Sequence, residues 1–236
     1  MSQRPISVII PVYNESEGLD ALFAVLAPFA NYCEIIFVDG GSNDGTERLI
    51  KEKGGNVILS RKGRANQMNS GAAVASGEIL WFLHADSAAP PDALNQIRDT
   101  LKGGRRVGCF RIRFSSSHPY MWIHSFLSNN YRTRILKIAF GDQGIFMEKA
   151  LFEEMGGFAP IPLMEDYKFS RDLRRAGHPV KLAKGHIITS DRRYLANGRL
   201  RTMWRMQMLQ RAFRKGHCIE EIAKTYDSMK KRKKGG

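Results

Sequence analysis

Short apolar runs that stop abruptly at polar or acidic residues recur along the first half of the chain, and stretches with helical spacing follow them. Residues 7–12 are apolar and β-branched and halt at Tyr13, Asn14 and Glu15, after which Leu19, Leu22, Phe23 and Leu26 fall at i, i+3, i+4 and i+7. Residues 34–38 repeat the design, ending at Asp39 and the turn GGSNDGT, where glycines permit a tight reversal and Asn43 or Asp44 can cap the next helix. A third strand is predicted at 56–59, and 64–76 reads as a helix whose Gly71, Ala72, Ala73 and Ala75 suit close packing on a sheet. The run ILWFL at 79–83 then leads directly into His84, Ala85 and Asp86.

Strands alternating with helices at this pace predict βαβ units and a mostly parallel sheet with helices on both faces. Ligands of such sheets bind beyond the carboxyl ends of the strands, so PVYNE, VDGGSNDGT and HADS should converge on one cleft. Downstream, 107–114 reads as a strand and 115–140 as an aromatic, basic region whose Trp122, Phe126 and Tyr131 favour a core position over a binding platform. Glu165 and Asp166 open a helix ending at Gly177, and 180–183 and 186–189 read as two short strands. In 200–215, Thr202, Met206, Leu209 and Phe213 share one helical face among dense arginines; this basic amphipathic helix either lies on a membrane surface or packs back on the domain. A last helix at 218–229 precedes a basic tail expected to be disordered.

With 236 residues, 43% of them hydrophobic, the chain can bury a full core. Cys33, Cys109 and Cys218 are scattered without CxxC spacing, which suits a reduced, cytoplasmic setting. The first residues read as a strand and not a signal peptide, and no run is long enough to span a membrane, so a soluble or peripheral protein is expected. The formal charge of +14 points to an anionic partner: nucleic acid, an anionic membrane surface or a phosphorylated small molecule. RNP, KH and zinc patterns are missing from the sequence, which makes nucleic acid the least favoured of the three.

Each candidate residue has a plain structural alternative. Asp86 either meets a ligand or caps the helix after Pro90 and Pro91, and His84 is either a ligand or a satisfied core histidine. Arg61, Lys62 and Arg64 precede a helix N-terminus, with Asn69 nearby, an arrangement suited to a diphosphate; for Lys62 a solvated turn is the better reading. Acidic residues such as Glu165 and Asp166 are expected in a first helical turn from the dipole alone. Arg192 and Arg193 have the reach to clamp a leaving diphosphate, and His186 is an extra metal ligand or a structural histidine.

SVIIPVYNE, VDGGSNDGT, ASGEILWFLHADS and MEDYKFSRDLRRAG, in this order, resemble the successive motifs of family 2 glycosyltransferases over roughly residues 5–190. HADS and GRANQMNSGA further resemble a bacterial subgroup found beside radical-SAM and selenium-related genes. The resemblance implies the GT-A fold, a Rossmann-like α/β sheet, in a domain at 1–196 with a nucleotide-binding half at 1–90 and an acceptor half at 91–196. Helices at 197–229 and a tail at 230–236 would follow.

It also implies that Pro11, Tyr13, Glu15, Asp39, Ser42 and Ala85 line the nucleotide site and that Asp142 and Gln143 contact the donor sugar. Asp86 would be the metal carboxylate of the Asp-x-Asp motif, binding Mg²⁺ or Mn²⁺, although His84 stands where the first aspartate is expected. Asp166, paired with Glu165, would be the catalytic base. The implied reaction moves a sugar, with inversion, from a UDP- or GDP-sugar to a hydroxyl or polyprenyl-phosphate acceptor. A catalytically silent homologue serving as a membrane-surface partner is the alternative, prompted by the missing aspartate.

Overall fold

The computed structural model describes residues 4–116, 118–189 and 199–231. Eight strands form one sheet: β1 (Ile6–Val12), β2 (Glu34–Asp39), β3 (Asn56–Leu59), β4 (Ile79–Phe82), β5 (Ser87–Ala88), β6 (Val107–Phe114), β7 (Phe146–Glu148) and β8 (Lys181–Thr189), in the order β3-β2-β1-β4-β7-β6-β8-β5. The β3-β2-β1-β4 half is parallel, as expected. Beyond it β7 runs antiparallel to both β4 and β6, β6 and β8 are parallel, and β5 is antiparallel to β8.

Alternation along the strands divides the core in two, because successive side chains face opposite sides of a sheet. Ile6, Val8, Ile10, Phe37, Ile79 and Trp81 pack beneath α1 (Leu19–Leu26), α2 (Thr46–Glu52) and α4 (Ala93–Thr100). Ile9, Ile36, Val38, Leu80 and Phe82 pack beneath α3 (Arg64–Val74), α6 (Lys149–Glu154) and α7 (Glu165–Arg175). At Gly71 of α3 a Cβ would stand 2.5 Å from the Ile9 side chain, so the small-residue helix is indeed pressed onto the sheet.

Three expectations change. Instead of two strands at 180–183 and 186–189 there is one, Lys181–Thr189, with a register shift opposite Cys109 and Arg111 that absorbs the irregularity. Asp86 does not cap a helix, since β5 and the prolines separate it from α4. Trp122, Phe126 and Tyr131 are exposed, because α5 (Pro119–Leu127) and the π-helical turn Ser128–Ile135 face the fold with Met121, Ser128, Asn129 and Thr133 instead.

The C-terminal helices α8 (Arg199–Arg214) and α9 (Ile219–Lys231) close a third cluster. Met206, Leu209 and Phe213 of α8 and Ile222 and Tyr226 of α9 pack with Ile138, Phe140, Met164 and Tyr167. The apolar face of α8 is therefore spent inside the fold. Helix α9 continues two residues into the stretch expected to be a disordered tail.

Candidate functional site

Because β1 to β4 are parallel, Val12, Asp39, Leu59 and Phe82 end at one edge of the sheet. After Pro11 and Val12 the chain turns through Asn14, whose φ of 53° is one of few left-handed non-glycine conformations. Neighbours fix that turn: the Asn14 amide donates to Ser42 Oγ at 2.9 Å, and Asn14 Oδ1 accepts from the Asn43 amide at 3.0 Å. The Glu15 amide donates to Thr46 Oγ1, and the exposed Tyr13 ring lies 3.9 Å beneath Lys62 Nζ. Asp39 is fully buried; its Oδ1 accepts from the Ser42 amide and hydroxyl at 2.9 and 2.7 Å, whereas Oδ2 has no partner among the described residues.

Helix α3 ties these strand ends to the other half of the domain. Gln67, which the sequence pattern did not single out, donates through Nε2 to the carbonyls of Val12 and Val38, each at 2.8 Å. A Cβ at Gly40 would stand only 3.0 Å from the Gln67 side chain, so the glycine after Asp39 makes room for this clip. Asn69 is occupied by the main chain of Phe158, donating to its carbonyl and accepting from its amide, and so holds a loop rather than facing the cleft.

At the first residue of α3, Arg64 Nη1 lies 3.7 Å from Glu165 Oε1. The Arg64 side chain is 44% exposed, and although desolvation opposes its charge, Glu165, Asp166, Tyr226 and Asp86 hold the guanidinium charged, above its ordinary value. Glu165 itself is only 3% exposed, and its Oε1 has no hydrogen-bond donor among the described residues. Burial and the neighbouring Asp166 push its carboxyl up to about 7, with Arg64 pulling the other way. The next carboxylate is committed to main chain: Asp166 Oδ2 accepts from the Gly141 amide at 2.7 Å and Oδ1 from the Tyr167 amide at 2.6 Å.

Gly141 sits at that point because β7, antiparallel to β4, starts where β4 ends. A Cβ there would come within 2.6 Å of His84 Nε2 and 3.4 Å of Asp166 Oδ2. The HADS tip and the ED pair, far apart in sequence, thus meet across one glycine. Asp86 is exposed on the same tip, and Ala85 is half-buried against the core.

Other candidates lie elsewhere or serve the scaffold. Gln143 is wholly buried, with Oε1 accepting from Arg132 and Nε2 donating to the Phe110 carbonyl, so its carboxamide braces the loop instead of facing a donor. Asp142 is half-buried beside Gly141. His186 is held below its ordinary pKa by partial burial and by Arg111 and Arg113, a cationic setting ill suited to a metal. Arg192 and Arg193 lie outside the described residues. Among the described residues no three acidic, histidine or cysteine side chains gather as a metal cage.

Residues 7–156 match the family described as Glycosyl transferase family 2. The chain belongs to that family. Its curated relatives include proteins named undecaprenyl-phosphate 4-deoxy-4-formamido-L-arabinose transferase. The Aeromonas hydrophila protein is 31% identical over 119 residues, covering 45% of this chain and 36% of the relative. The Proteus mirabilis protein is 27% identical over 154 residues, covering 60% and 47%. The family 2 chain therefore spans between about a third and a half of the length of these relatives.

Solved structures give the same fold. The Pyrobaculum calidifontis mannosyltransferase in complex with GDP-Man and Mn²⁺ superposes with a TM-score of 0.64 at 19% identity, covering 89% of this chain and 62% of that one. S. aureus TarS in complex with UDP-GlcNAc superposes with a TM-score of 0.63 at 17% identity, covering 80% and 59%. The sheet is that of the GT-A glycosyltransferases, with the C-terminal helices as a small addition.

Proposed function

We infer that this family 2 glycosyltransferase moves a sugar, with inversion at the anomeric carbon, from a UDP- or GDP-sugar to the phosphate of a polyprenyl-type lipid at the inner face of a membrane. The observation that carries the reading is the cluster of Arg64, Asp86, Glu165 and Asp166 around the end of β4. A cation flanked by carboxylates at a strand-end cleft suits an activated sugar whose leaving group is a diphosphate. The nucleoside half is assigned to Pro11, Tyr13, Glu15, Asp39 and Ser42, with Oδ2 of Asp39, buried and without a partner among the described residues, as the acceptor for a base or ribose donor. The nucleotide sugars bound by the structural neighbours support this donor class.

As the glycosidic bond breaks, negative charge grows on the departing diphosphate, and Arg64 is placed to stabilise it. Asp86, exposed and with His84 on the same tip, is the protein's share of a Mg²⁺ or Mn²⁺ shell, which needs only one or two carboxylates when diphosphate oxygens and waters complete it. Such an ion, when bound, would neutralise diphosphate charge. The Mn²⁺ of the Pyrobaculum complex supports this.

Two observations favour a phosphate over a hydroxyl acceptor. The relatives are named for undecaprenyl phosphate, and both oxygens of Asp166 already accept main-chain amides. A phosphate nucleophile arrives as an anion and needs no base, so Asp166 then serves to hold the Gly141 loop; with a hydroxyl acceptor Asp166 would take its proton.

The test is a thermal-shift panel of UDP-, GDP- and dTDP-sugars with and without Mn²⁺ or Mg²⁺, followed by turnover with polyprenyl phosphate. One sugar nucleotide should raise the midpoint in a metal-dependent way, and Asp86→Asn should remove the metal dependence. Asp166→Asn should keep substantial turnover. A flat panel would instead favour a catalytically silent homologue, and near-complete loss of turnover in Asp166→Asn with intact donor binding would restore the hydroxyl acceptor.

A further inference from the structure

The π-helical segment and α5 are amphipathic the wrong way round for a helix facing water. Asn129 and Thr133 point inward, the former exchanging hydrogen bonds with the main chain of Ile112 at 2.8 and 3.0 Å. Trp122, Ile123, Phe126, Leu127, Tyr131 and Ile135 point outward, and Trp122 is 69% exposed. Six large apolar side chains on one outer face exceed the scattered exposure that needs no explanation.

Helix α8 adjoins α5, with Tyr120 Oη donating to Met203 Sδ at 3.0 Å, and its Trp204 and Met208 line a groove shared with Ile222 and Thr225 of α9. Its inner face is used in the fold, and its outer face carries Arg201, Trp204, Met208, Arg211 and Lys215 at helical spacing, all exposed. Charge is segregated along the chain into two stretches that include these helices. Residues 100–141 and 192–219 contain no aspartate or glutamate and sixteen lysines and arginines, whereas the remainder has 21 basic against 23 acidic residues. The net positive charge of the chain thus comes from the two stretches that contain these helices.

We propose that the outer faces of α5, the π-helical turn and α8 together form a docking surface for an anionic phospholipid bilayer. Tryptophan and tyrosine favour the headgroup level, the aliphatic residues reach the acyl boundary, and the arginines meet anionic headgroups. Stacking of Trp122 on Phe126, 5.8 Å between centroids, presents the aromatic pair as one unit. A nucleic acid would use the cations but gives no role to Ile123, Leu127 and Ile135 on the same face. The proposal specifies which surface meets the membrane and does not depend on the transfer chemistry, because vesicles bind without donor or acceptor.

The experiment is co-sedimentation of the full chain with vesicles of phosphatidylcholine alone or mixed with phosphatidylglycerol, read together with tryptophan emission. Trp81 is fully buried, so a blue shift reports Trp122 and Trp204. Partitioning should be at least tenfold stronger on the anionic vesicles and accompanied by that shift. Trp122→Ser with Phe126→Ser should lower partitioning at least tenfold while the thermal midpoint stays that of the parent, since both sites are exposed. Arg201→Glu with Arg211→Glu, which spares the apolar row, should lower binding to anionic vesicles alone. The proposal is overturned by equal binding to both vesicle types, by undiminished binding of the Trp122/Phe126 variant, or by tighter retention on poly(U) RNA than on anionic vesicles at equal phosphate concentration.

Discussion

The main-chain amide of Gly141 donates to Oδ2 of Asp166 at 2.7 Å, so the first acidic turn of α7 holds in place the loop that faces the HADS tip. Both partners are buried. Asp166→Ala leaves that amide without an acceptor and should cost about 1–3 kcal/mol, whereas Asp166→Asn retains one carbonyl acceptor and should cost less. Urea denaturation of the three proteins without ligand checks the order.

Across the same glycine, a Cβ would lie 2.6 Å from His84 Nε2. Gly141→Ala should therefore force the imidazole aside at a cost of about 1–3 kcal/mol. Adding His84→Ala should recover part of that loss, and a double-mutant cycle measures the coupling. Strict additivity of the two substitutions would contradict the contact.

Glu165 carries a pH signature of definite sign. Its folded-state carboxyl is raised to about 7 from an ordinary 4.5, so the folded protein holds the proton more tightly than the unfolded chain. Its contribution favours folding at low pH and is lost as pH rises from the unfolded value through about 7. Glu165→Gln cannot ionise, so its stability relative to the parent should rise across that window, by up to about 3 kcal/mol, even though Arg64 loses a charged neighbour. Denaturation midpoints of both proteins from pH 4 to pH 8, about the range over which a carboxyl with this shift changes charge, supply the test. A constant difference between the two would refute the assignment.

Gln67 closes the ends of β1 and β2 by donating to the carbonyls of Val12 and Val38. Gln67→Leu preserves bulk but removes this donor from both carbonyls, leaving Val12 with the Gly40 amide, and a destabilisation of about 1–3 kcal/mol is expected. Because Asp39 shares that edge, the donor-induced thermal shift should fall as well. Unchanged stability and donor response would show that the clip is dispensable.

Much of the architecture was legible in the chain because parallel strands buried on both faces must be continuously apolar, and the runs ending at Val12, Val38 and Leu83 stop within about one residue of the ends of β1, β2 and β4. The resemblance implied a short strand at 141–147, but the antiparallel pairing of β7 was not legible: three residues long, it is defined by pairing with distant β4 and β6. Local pattern also misplaced Trp122, Phe126 and Tyr131, since burial of an aromatic helix is expected unless Asn129 and Thr133 are known to face inward. Gln143 and Asn69 carried the chemistry of ligand contacts, and only the structure reveals that main chain and Arg132 consume them.

The order of apolar runs and polar tips, a local property of neighbouring residues, determined by itself the strand-helix alternation and the edge at which the candidate site lies, and the motif residues at those tips carried the resemblance to the family. What depended on long-range packing was decided by the tertiary structure alone. Arg64 came to face Glu165, Gly141 came to separate His84 from Asp166, and the apolar side of α8 turned inward while that of α5 turned out. Amphipathic periodicity identifies a face without saying what covers it; only the competition among faces for one core does that.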